Sequence, residues 1–246
     1  MMGIDTDEIS NLDELVYKAK WLEGKTLKQI AKGIKDTDAY SRVVTKGDIG
    51  YLIEKGFFGI NKNSEAEPDI KHLGVEIKTC PLKYNSNHTV LSVKEPLSLN
   101  MINYVKEVKS RNLRESSVYR KNKRILFVFY LHDPNVDRSD YRIKYVFLWK
   151  MNQRILDELE PDYDEIIQKI RTGKAHEIHQ SDNKYLTLCP KHNGDYNNPH
   201  DMLSKTKQPY SDILAERRAF RLKNKYINKI IRHYLSKPDS EKGWEV

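Results

Sequence analysis

The sequence contains few cysteines and no long apolar run. Only Cys80 and Cys189 occur among its 246 residues, which excludes a framework of several disulfides and favours a reducing compartment. No stretch approaches the ~20 apolar residues that span a bilayer. The N-terminus is acidic and lacks the basic-then-apolar order of a secretory signal. We therefore expect a cytoplasmic protein that is not inserted in a membrane.

The charge is not balanced. A formal net charge of +8 and a pI of about 9.2 favour polyanionic partners, nucleic acid first and an anionic membrane surface second. The chain also has 15 Tyr, 6 Phe and 3 Trp, and this aromatic content indicates a packed core rather than a disordered chain.

Hydrophobic periodicity predicts alternating helices and strands. Strands are expected where apolar residues alternate or run together: around Val75–Lys78 (ended or bent by Pro81), at 89–93, at 124–133 and at 141–150, with a short hairpin within 175–190. Helices are expected at 8–35, 45–59, 100–110, 151–173 on either side of Pro161, and 211–235 with a break near Arg221. Loops are expected at 61–69 and 191–209.

The domain organisation follows from the absence of an internal repeat and of a low-complexity linker. One mixed α/β domain over residues 1–246 is the simplest interpretation, with a disordered tail at 236–246. This tail provides no obvious closing element, so the chain is also interpreted as a possible N-terminal half of a longer enzyme.

One short segment combines two carboxylates and a lysine. In "PDIKHLGVEIKTCPL", Asp69, Glu76 and Lys78 flank apolar residues of a predicted strand. Cleavage of a phosphodiester with Mg²⁺ requires oxygen ligands and a group that orients water or offsets phosphate charge. Asp69, Glu76 and the main-chain carbonyl of Ile77 suit the first task. Lys78 suits the second because it projects from the same strand face as Glu76.

The same residues have an ordinary interpretation. Acidic residues and lysine are common, and the spacing is loose, so a solvated strand face with a Glu–Lys pair explains the motif alone at least as well.

The surrounding sequence resembles the MutH family, which contains a mismatch-repair nicking endonuclease and type II restriction endonucleases that cut at GATC. The resemblance begins with "GDIGYLIE", "FFG", "PD" and "LGVEIKT", and continues in "RILFVFYLHD", "GKAHE", "YLTLCPK" and "RAFRLKNKYINKII". It covers most of residues 46–235. The segment "QPYSDILAERRAF" is similar to the restriction branch of the family.

This resemblance implies a restriction-endonuclease-like α/β fold, in which helices flank a mixed sheet and two lobes form a DNA-binding cleft. It implies that Asp69 and Glu76 bind the metal and that Lys78 acts in catalysis. Glu54 matches a helix glutamate next to that site. A surface helix charge is the alternative for Glu54.

Other matches concern the reading of DNA. Lys191 matches a lysine of the family that contacts DNA. Cys189 stands where MutH has a DNA-reading arginine, and Arg221 stands where MutH has a tyrosine that senses adenine methylation. An arginine can instead contact guanine through two hydrogen bonds, so the methylation preference of MutH is not carried over.

Basic residues crowd two segments. In the first, Arg217, Arg218, Arg221, Lys223 and Lys225 are predicted to contact DNA phosphates, with a solvated helix face as the alternative. The second segment, residues 106–124, is interpreted either as a mobile connection that touches the DNA backbone or as a solvated loop.

Two histidine-containing segments complete the candidates. The loop with Cys189, His192, His200 and Asp201 suggests zinc or an HNH-type nuclease, but a single cysteine without a second pair does not favour zinc. His176 is interpreted as a structural or DNA-proximal residue.

The sequence thus predicts a Mg²⁺-dependent type II restriction endonuclease that cuts duplex DNA at GATC and leaves 5′-phosphates. Two alternatives stay open: a methyl-directed nicking enzyme and a non-catalytic GATC-binding module. Because two strands of a palindrome require two active sites or two successive nicks, self-association or a second half-enzyme domain is an expected partner besides DNA.

Overall fold

The computed structural model describes residues 3–34, 49–60, 66–191 and 205–238. The chain forms two compact units, each made of several segments. The first comprises Met1–Glu95, Arg124–Lys150 and Asn228–Val246, and the second comprises Pro96–Lys123 and Met151–Ile227. The single domain with a DNA-binding cleft stays a prediction, and the expected disordered tail lies from residue 239 onward outside the described residues.

The helices and strands of the described residues are numbered in chain order. The α-helices are α1 (Leu12–Lys20), α2 (Leu27–Ile34), α3 (Ile49–Tyr51), α4 (Tyr104–Glu107), α5 (Ser117–Asn122), α6 (Gln153–Arg171) and α7 (Asn224–Ser236). The strands are β1 (Glu76–Tyr84), β2 (Leu91–Val93), β3 (Leu97–Met101), β4 (Arg124–Leu131), β5 (Arg142–Lys150), β6 (Leu186–Pro190), β7 (Lys205–Gln208), β8 (Ser211–Glu216) and β9 (Arg218–Leu222). None of the described helices is long and apolar enough to cross a membrane.

The first unit is built on a mixed sheet with strand order β2-β1-β4-β5. β1 pairs with β4 in parallel, while the β1–β2 and β4–β5 pairs are antiparallel. The predicted strands at 124–133 and 141–150 are confirmed. Ile125 to Phe129 are 0% exposed, as expected of a strand covered on both faces.

The expectation that Pro81 ends the first strand is wrong. β1 continues to Tyr84, and the register Pro81↔Tyr130 is part of an uninterrupted ladder with β4. The proline carbonyl accepts a hydrogen bond from the Lys94 amide at 2.8 Å. A proline lacks only the N–H, so the strand loses one donor and retains its pairing on both edges.

Helices of the first unit pack against this sheet. The helix predicted over 8–35 is confirmed as α1 and α2, with Asn11 capping α1 and Gly24, at φ 78°, between the two. The helix predicted over 45–59 begins at Ile49 within the described residues, and α3 continues there as a π-helical turn, Leu52–Phe57. Residues 45–48 lie outside the described part.

The second unit contains a three-stranded antiparallel sheet, β3-β9-β6, and a two-stranded one, β7-β8. The helix predicted over 211–235 is therefore wrong before residue 224: that part forms β8 and β9. β9 is bonded on both edges, and its fixed backbone pairing overrides the helix-like spacing of the sequence.

Two further predictions in this unit are wrong in part, and a third is wrong: a helix forms at Tyr104–Glu107 within the range expected for one, and residues 192–204 of the expected loop lie outside the described part. The start of the expected helix at 100–110 belongs to β3, and the end of the expected loop at 191–209 forms β7. Residues 175–190 do not fold as a hairpin, since β6 pairs with β9. The partner strand lies about 30 residues away in the sequence, so local pattern gave no signal of it.

The basic run 106–124 is folded rather than a free connection. Leu113 and Val118 are buried, and the buried carboxylate of Glu107 accepts hydrogen bonds from the Ser117 amide at 3.1 Å and from the Tyr163 hydroxyl at 2.9 Å. α6 continues through Pro161 as one helix.

Candidate active site

A tight turn determines the distance between the two carboxylates of the motif. Ile70 and Val75 form an antiparallel bridge, with N···O distances of 2.9 and 3.1 Å. Gly74 closes the turn at φ 62°, a conformation that glycine adopts without strain. In an antiparallel register the next pair outward is Asp69 and Glu76. The length of this turn therefore sets the number of residues between Asp69 and Glu76.

Direct contacts confirm that Asp69, Glu76 and Lys78 lie together. The Asp69 amide donates to Oε2 of Glu76 at 3.2 Å, and Nζ of Lys78 donates to Oε1 of Glu76 at 2.5 Å. The Glu76 side chain is only 3% exposed and that of Lys78 is 19% exposed. The polar face of this strand is thus a partly buried charge cluster, unlike the solvated face of the alternative interpretation.

The main chain of Ile77 faces Asp69. Its amide donates to Oδ2 of Asp69 at 2.8 Å. The N–H and C=O of one strand residue point to the same side of the strand, so the Ile77 carbonyl is directed toward the edge of β1 where Asp69 lies. This orientation matches the predicted third oxygen donor.

Glu54 acts on the same cluster from the π-helical turn. Burial tends to lower the pKa of Lys78, but the charges of Glu76, Asp69 and Glu54 outweigh it, and the pKa of Lys78 is raised. The Lys78 ammonium is therefore held in its charged form by carboxylates on three segments. π-helical turns occur frequently at functional sites, and the predicted proximity of Glu54 to the site agrees with this electrostatic coupling.

The donor set consists of oxygens. Two carboxylates and a main-chain carbonyl are the ligands that Mg²⁺ takes, with water and substrate phosphate completing the shell. Within the described residues there is no group of three or more His, Cys, Asp or Glu side chains positioned for a metal. A cation at Asp69 and Glu76 would therefore depend on the Ile77 carbonyl and on nonprotein ligands, as Mg²⁺ tolerates.

Comparisons with known proteins identify relatives of this chain. A family model described as DNA mismatch repair enzyme MutH matches residues 58–162. The type II restriction enzyme Sau3AI of Staphylococcus aureus is 36% identical over 193 residues, which are 78% of this chain and 37% of that enzyme. The DNA mismatch repair protein MutH of Shewanella amazonensis is 31% identical over 183 residues, which are 74% of this chain and 78% of that protein. This chain belongs to the MutH family.

The chain spans different shares of the lengths of its relatives. It covers 37% of the length of Sau3AI. It covers 95% of the MutH protein of Actinobacillus pleuropneumoniae serotype 5b, which is 25% identical over 228 residues.

The turn of this MutH-family chain is anchored by residues that the sequence did not single out. Nε2 of His72 lies 2.8 Å from the carbonyl oxygen of Ile9, and the Leu73 carbonyl accepts from Arg124 at 3.2 Å. These contacts join the turn to the N-terminal segment and to the start of β4. Nothing in the local pattern marks them, because both partners are distant in sequence.

We expect Gly74→Ala to impair cleavage more than folding. A side chain at φ 62° costs about 1 kcal/mol, and relieving the strain would move Asp69 relative to Glu76. Gly24→Ala is the matched control, since Gly24 has φ 78° and open space around it. The Tm of thermal unfolding should fall by a similar amount in both variants. The rate of DNA cleavage per folded molecule should fall at least tenfold in Gly74→Ala alone. Equal cleavage by the two variants would contradict the role of the turn.

Two of the predicted DNA-reading residues share one face of the β3-β9-β6 sheet. Arg221 lies opposite Ser98 on one side and Thr187 on the other. Nζ of Lys191 donates to Oγ of Ser98 at 3.0 Å. Paired residues project from the same sheet face, so Lys191 and Arg221 lie on a common surface within the second unit.

The other basic residues are placed less uniformly. Arg218 is 4% exposed and pairs with Glu216 at 2.5 Å, so it is engaged inside the unit rather than presented to a phosphate. Lys223 donates to the carbonyls of Asn183 and Ser181. Arg217 is half-buried, while Lys225 is exposed and lies over the Tyr185 ring. The segment predicted as a helix is a strand at Arg218 and Arg221, and Arg217 lies between β8 and β9.

The remaining candidates have structural surroundings. Cys189 is fully buried in β6, and Nδ1 of His176 lies 2.9 Å from Nε2 of Gln208, which agrees with a structural role for that histidine. His192, His200 and Asp201 lie outside the described residues.

Proposed function

We propose that this chain is a Mg²⁺-dependent type II restriction endonuclease that cuts duplex DNA at GATC and leaves 5′-phosphate ends. It is a site-specific DNA endonuclease of the MutH family. The observation that carries the proposal is the partly buried cluster of Asp69, Glu76 and Lys78 on the turn and on β1. The restriction assignment draws support from the 36% identity to the type II restriction enzyme Sau3AI.

In this mechanism the chain supplies ligands and a fixed positive charge. Asp69, Glu76 and the Ile77 carbonyl would hold Mg²⁺, which when bound polarises a phosphate oxygen and lowers the pKa of a coordinated water. Lys78, fixed by its hydrogen bond to Glu76, orients the attacking water or offsets charge on the phosphorus. Glu54 adds a further negative charge that keeps Lys78 protonated.

Recognition is assigned to the second unit. Lys191 and Arg221 present their charges on one face of the β3-β9-β6 sheet. Arginine reads guanine through O6 and N7, and lysine contacts phosphate or guanine. Arg217 and Lys225 add phosphate contacts, while the buried Arg218 and the carbonyl-bound Lys223 instead support the fold.

A second candidate function is nicking of one strand in mismatch repair. It is favoured by the relatives named DNA mismatch repair protein MutH, one of which this chain covers over 78% of its length. Both functions use the same cluster. They differ in the number of strands cut and in dependence on partner proteins, and cutting of both strands by the first function requires self-association or successive nicks.

The decisive experiment is plasmid cleavage with Mg²⁺. Supercoiled plasmids with unmethylated GATC, adenine-methylated GATC and no GATC are incubated with the protein and resolved on a gel. Discrete linear fragments from the GATC plasmids alone would support the restriction function. Accumulation of nicked circles without linear product would favour the nicking function. Binding to GATC duplexes without any cleavage would indicate a non-catalytic module and would refute the proposal.

A further inference from the structure

The first unit contains a cavity of about 420 Å³ at the end of the sheet away from the Asp69–Glu76 cluster. β1 and β4 are parallel, so their carboxyl ends lie at the same end of the sheet. The cavity is lined by residues at and just beyond these two strand ends. Lys83 is seven residues beyond Glu76, which places it about 23 Å along the strand at 3.3 Å per residue. Its side chain also projects from the opposite face to that of Glu76. This cavity is therefore separate from the catalytic cluster.

Its charged lining is mainly basic. Lys94 lies opposite Pro81 in the β1–β2 pair, since its amide donates to the Pro81 carbonyl. Lys83 and Lys94 are thus diagonal neighbours on one sheet face, about 7–8 Å apart. The acidic residue of the lining, Asp133, is engaged in its own turn, where it accepts from the amide and the side chain of Asn135 at 2.9 and 3.0 Å.

A histidine positions one of these ammonium groups. Nζ of Lys94 lies 2.9 Å from Nε2 of His132. Burial and the charge of Lys94 lower the pKa of His132, so the neutral ring accepts a hydrogen bond from the lysine. The lining thus carries two ammonium groups, on Lys83 and Lys94, against the one carboxylate of Asp133, and this excess of positive charge suits an anion.

The opposite part of the lining is aromatic. The rings of Tyr84 and His88 are in contact, with centroids 5.7 Å apart. His88 adopts φ 52°, and its amide donates to the Asn85 carbonyl, so a tight turn sets the ring's position. The volume lies within the range of small-ligand sites, and an aromatic surface beside ammonium groups suits a base attached to a phosphate.

We propose that this cavity binds a nucleotide phosphate, with the phosphate between Lys83 and Lys94 and the base against Tyr84 and His88. The phosphate ester comes either from a free mononucleotide or from a DNA strand outside the cleavage site. The site is independent of the proposed cleavage, because none of its residues belongs to the Asp69–Glu76–Lys78 cluster.

The test compares two double variants that remove the same charge. Lys83→Gln/Lys94→Gln alters the cavity, and Lys28→Gln/Lys144→Gln alters exposed lysines elsewhere in the same unit. Binding of dAMP is measured by calorimetry, with inorganic phosphate as competitor. Binding of a 16-base-pair GATC duplex is measured by fluorescence anisotropy at fixed salt.

We expect saturable dAMP binding that weakens at least tenfold in the cavity variant and less than twofold in the control. A parallel loss of duplex affinity in the cavity variant alone would identify DNA as the source of the phosphate, and unchanged duplex affinity would identify a free nucleotide. Equal effects of the two double variants on both probes, or no saturable binding of either probe that depends on Lys83 and Lys94, would overturn the proposal whatever the outcome of the cleavage assay.

Discussion

Replacing Glu76 by glutamine is expected to lower the rate of DNA cleavage by at least about 1,000-fold. The side chain is nearly isosteric, but it loses the negative charge that pairs with Lys78 at 2.5 Å and that would hold the proposed Mg²⁺. Loss of charge stabilisation worth several kcal/mol corresponds to about three orders of magnitude in rate. Single-turnover cleavage of a GATC duplex measures the effect directly.

Binding should be retained in this variant, because the proposed recognition residues lie in the second unit. Glu67→Gln is the matched control: the same substitution, close in sequence, at an exposed glutamate that forms a surface pair with Lys71. The control should cleave at a rate within twofold of the original protein, since exposed pairs contribute little. A Glu76→Gln protein that cuts at the original rate would remove this glutamate from the active site.

Asp162→Ala is expected to have the largest effect on stability. The buried carboxylate accepts hydrogen bonds from three consecutive amides, those of Lys184, Tyr185 and Leu186, at 2.6, 2.5 and 2.8 Å. A buried N–H left without a partner costs roughly 1–3 kcal/mol. Leu186 is buried, whereas Lys184 is exposed and Tyr185 is half-buried, so water can satisfy part of the loss and a total of about 3–5 kcal/mol is expected. For a chain of this size that corresponds to a fall of about 10 °C in Tm.

Circular dichroism and hydrogen exchange together can localise this loss. Asp164→Ala is the control, because Asp164 is an exposed acid on the same helix, α6. Amides at the start of β6 should exchange faster in the Asp162 variant than in the Asp164 variant. A Tm within 2 °C of the original for Asp162→Ala would show that the three amides find other partners, and the anchoring of β6 would need another explanation.

Local sequence predicted the parts of the fold that local forces determine. β4 is an apolar run that a strand covered on both faces can bury, and β5 contains a second such run at Val146–Trp149, so the sequence indicates the positions of both strands. Asp69, Glu76 and Lys78 were readable as a set because strand periodicity places two of them on one face. Their resemblance to the MutH family then separated a charge cluster from an ordinary surface pair.

Long-range pairing determined the parts that were mispredicted. The spacing of apolar residues in 211–222 fits a helix, but β9 is held between β3 and β6, which lie far away in the chain. The partners of Asp162 and of His72 are likewise set by tertiary contacts. Local sequence pattern carries no information on such distant pairs. For this reason the sequence places Arg218 on a DNA-binding surface, although the side chain is buried beside Glu216.

The turn between Asp69 and Glu76 also limits how this chain can vary. Glu76 is held in the β1–β4 ladder, whereas Asp69 is positioned by the bridge between Ile70 and Val75. One inserted or deleted residue between Ile70 and Val75 would therefore shift this register and turn Asp69 away from Glu76. Loop insertions elsewhere cost little free energy, whereas a length change here would dismantle the cluster at once. The six residues between Asp69 and Glu76 thus have to stay six in number. Substitutions among them are tolerable only where they leave the Ile70–Val75 bridge and the Gly74 conformation intact.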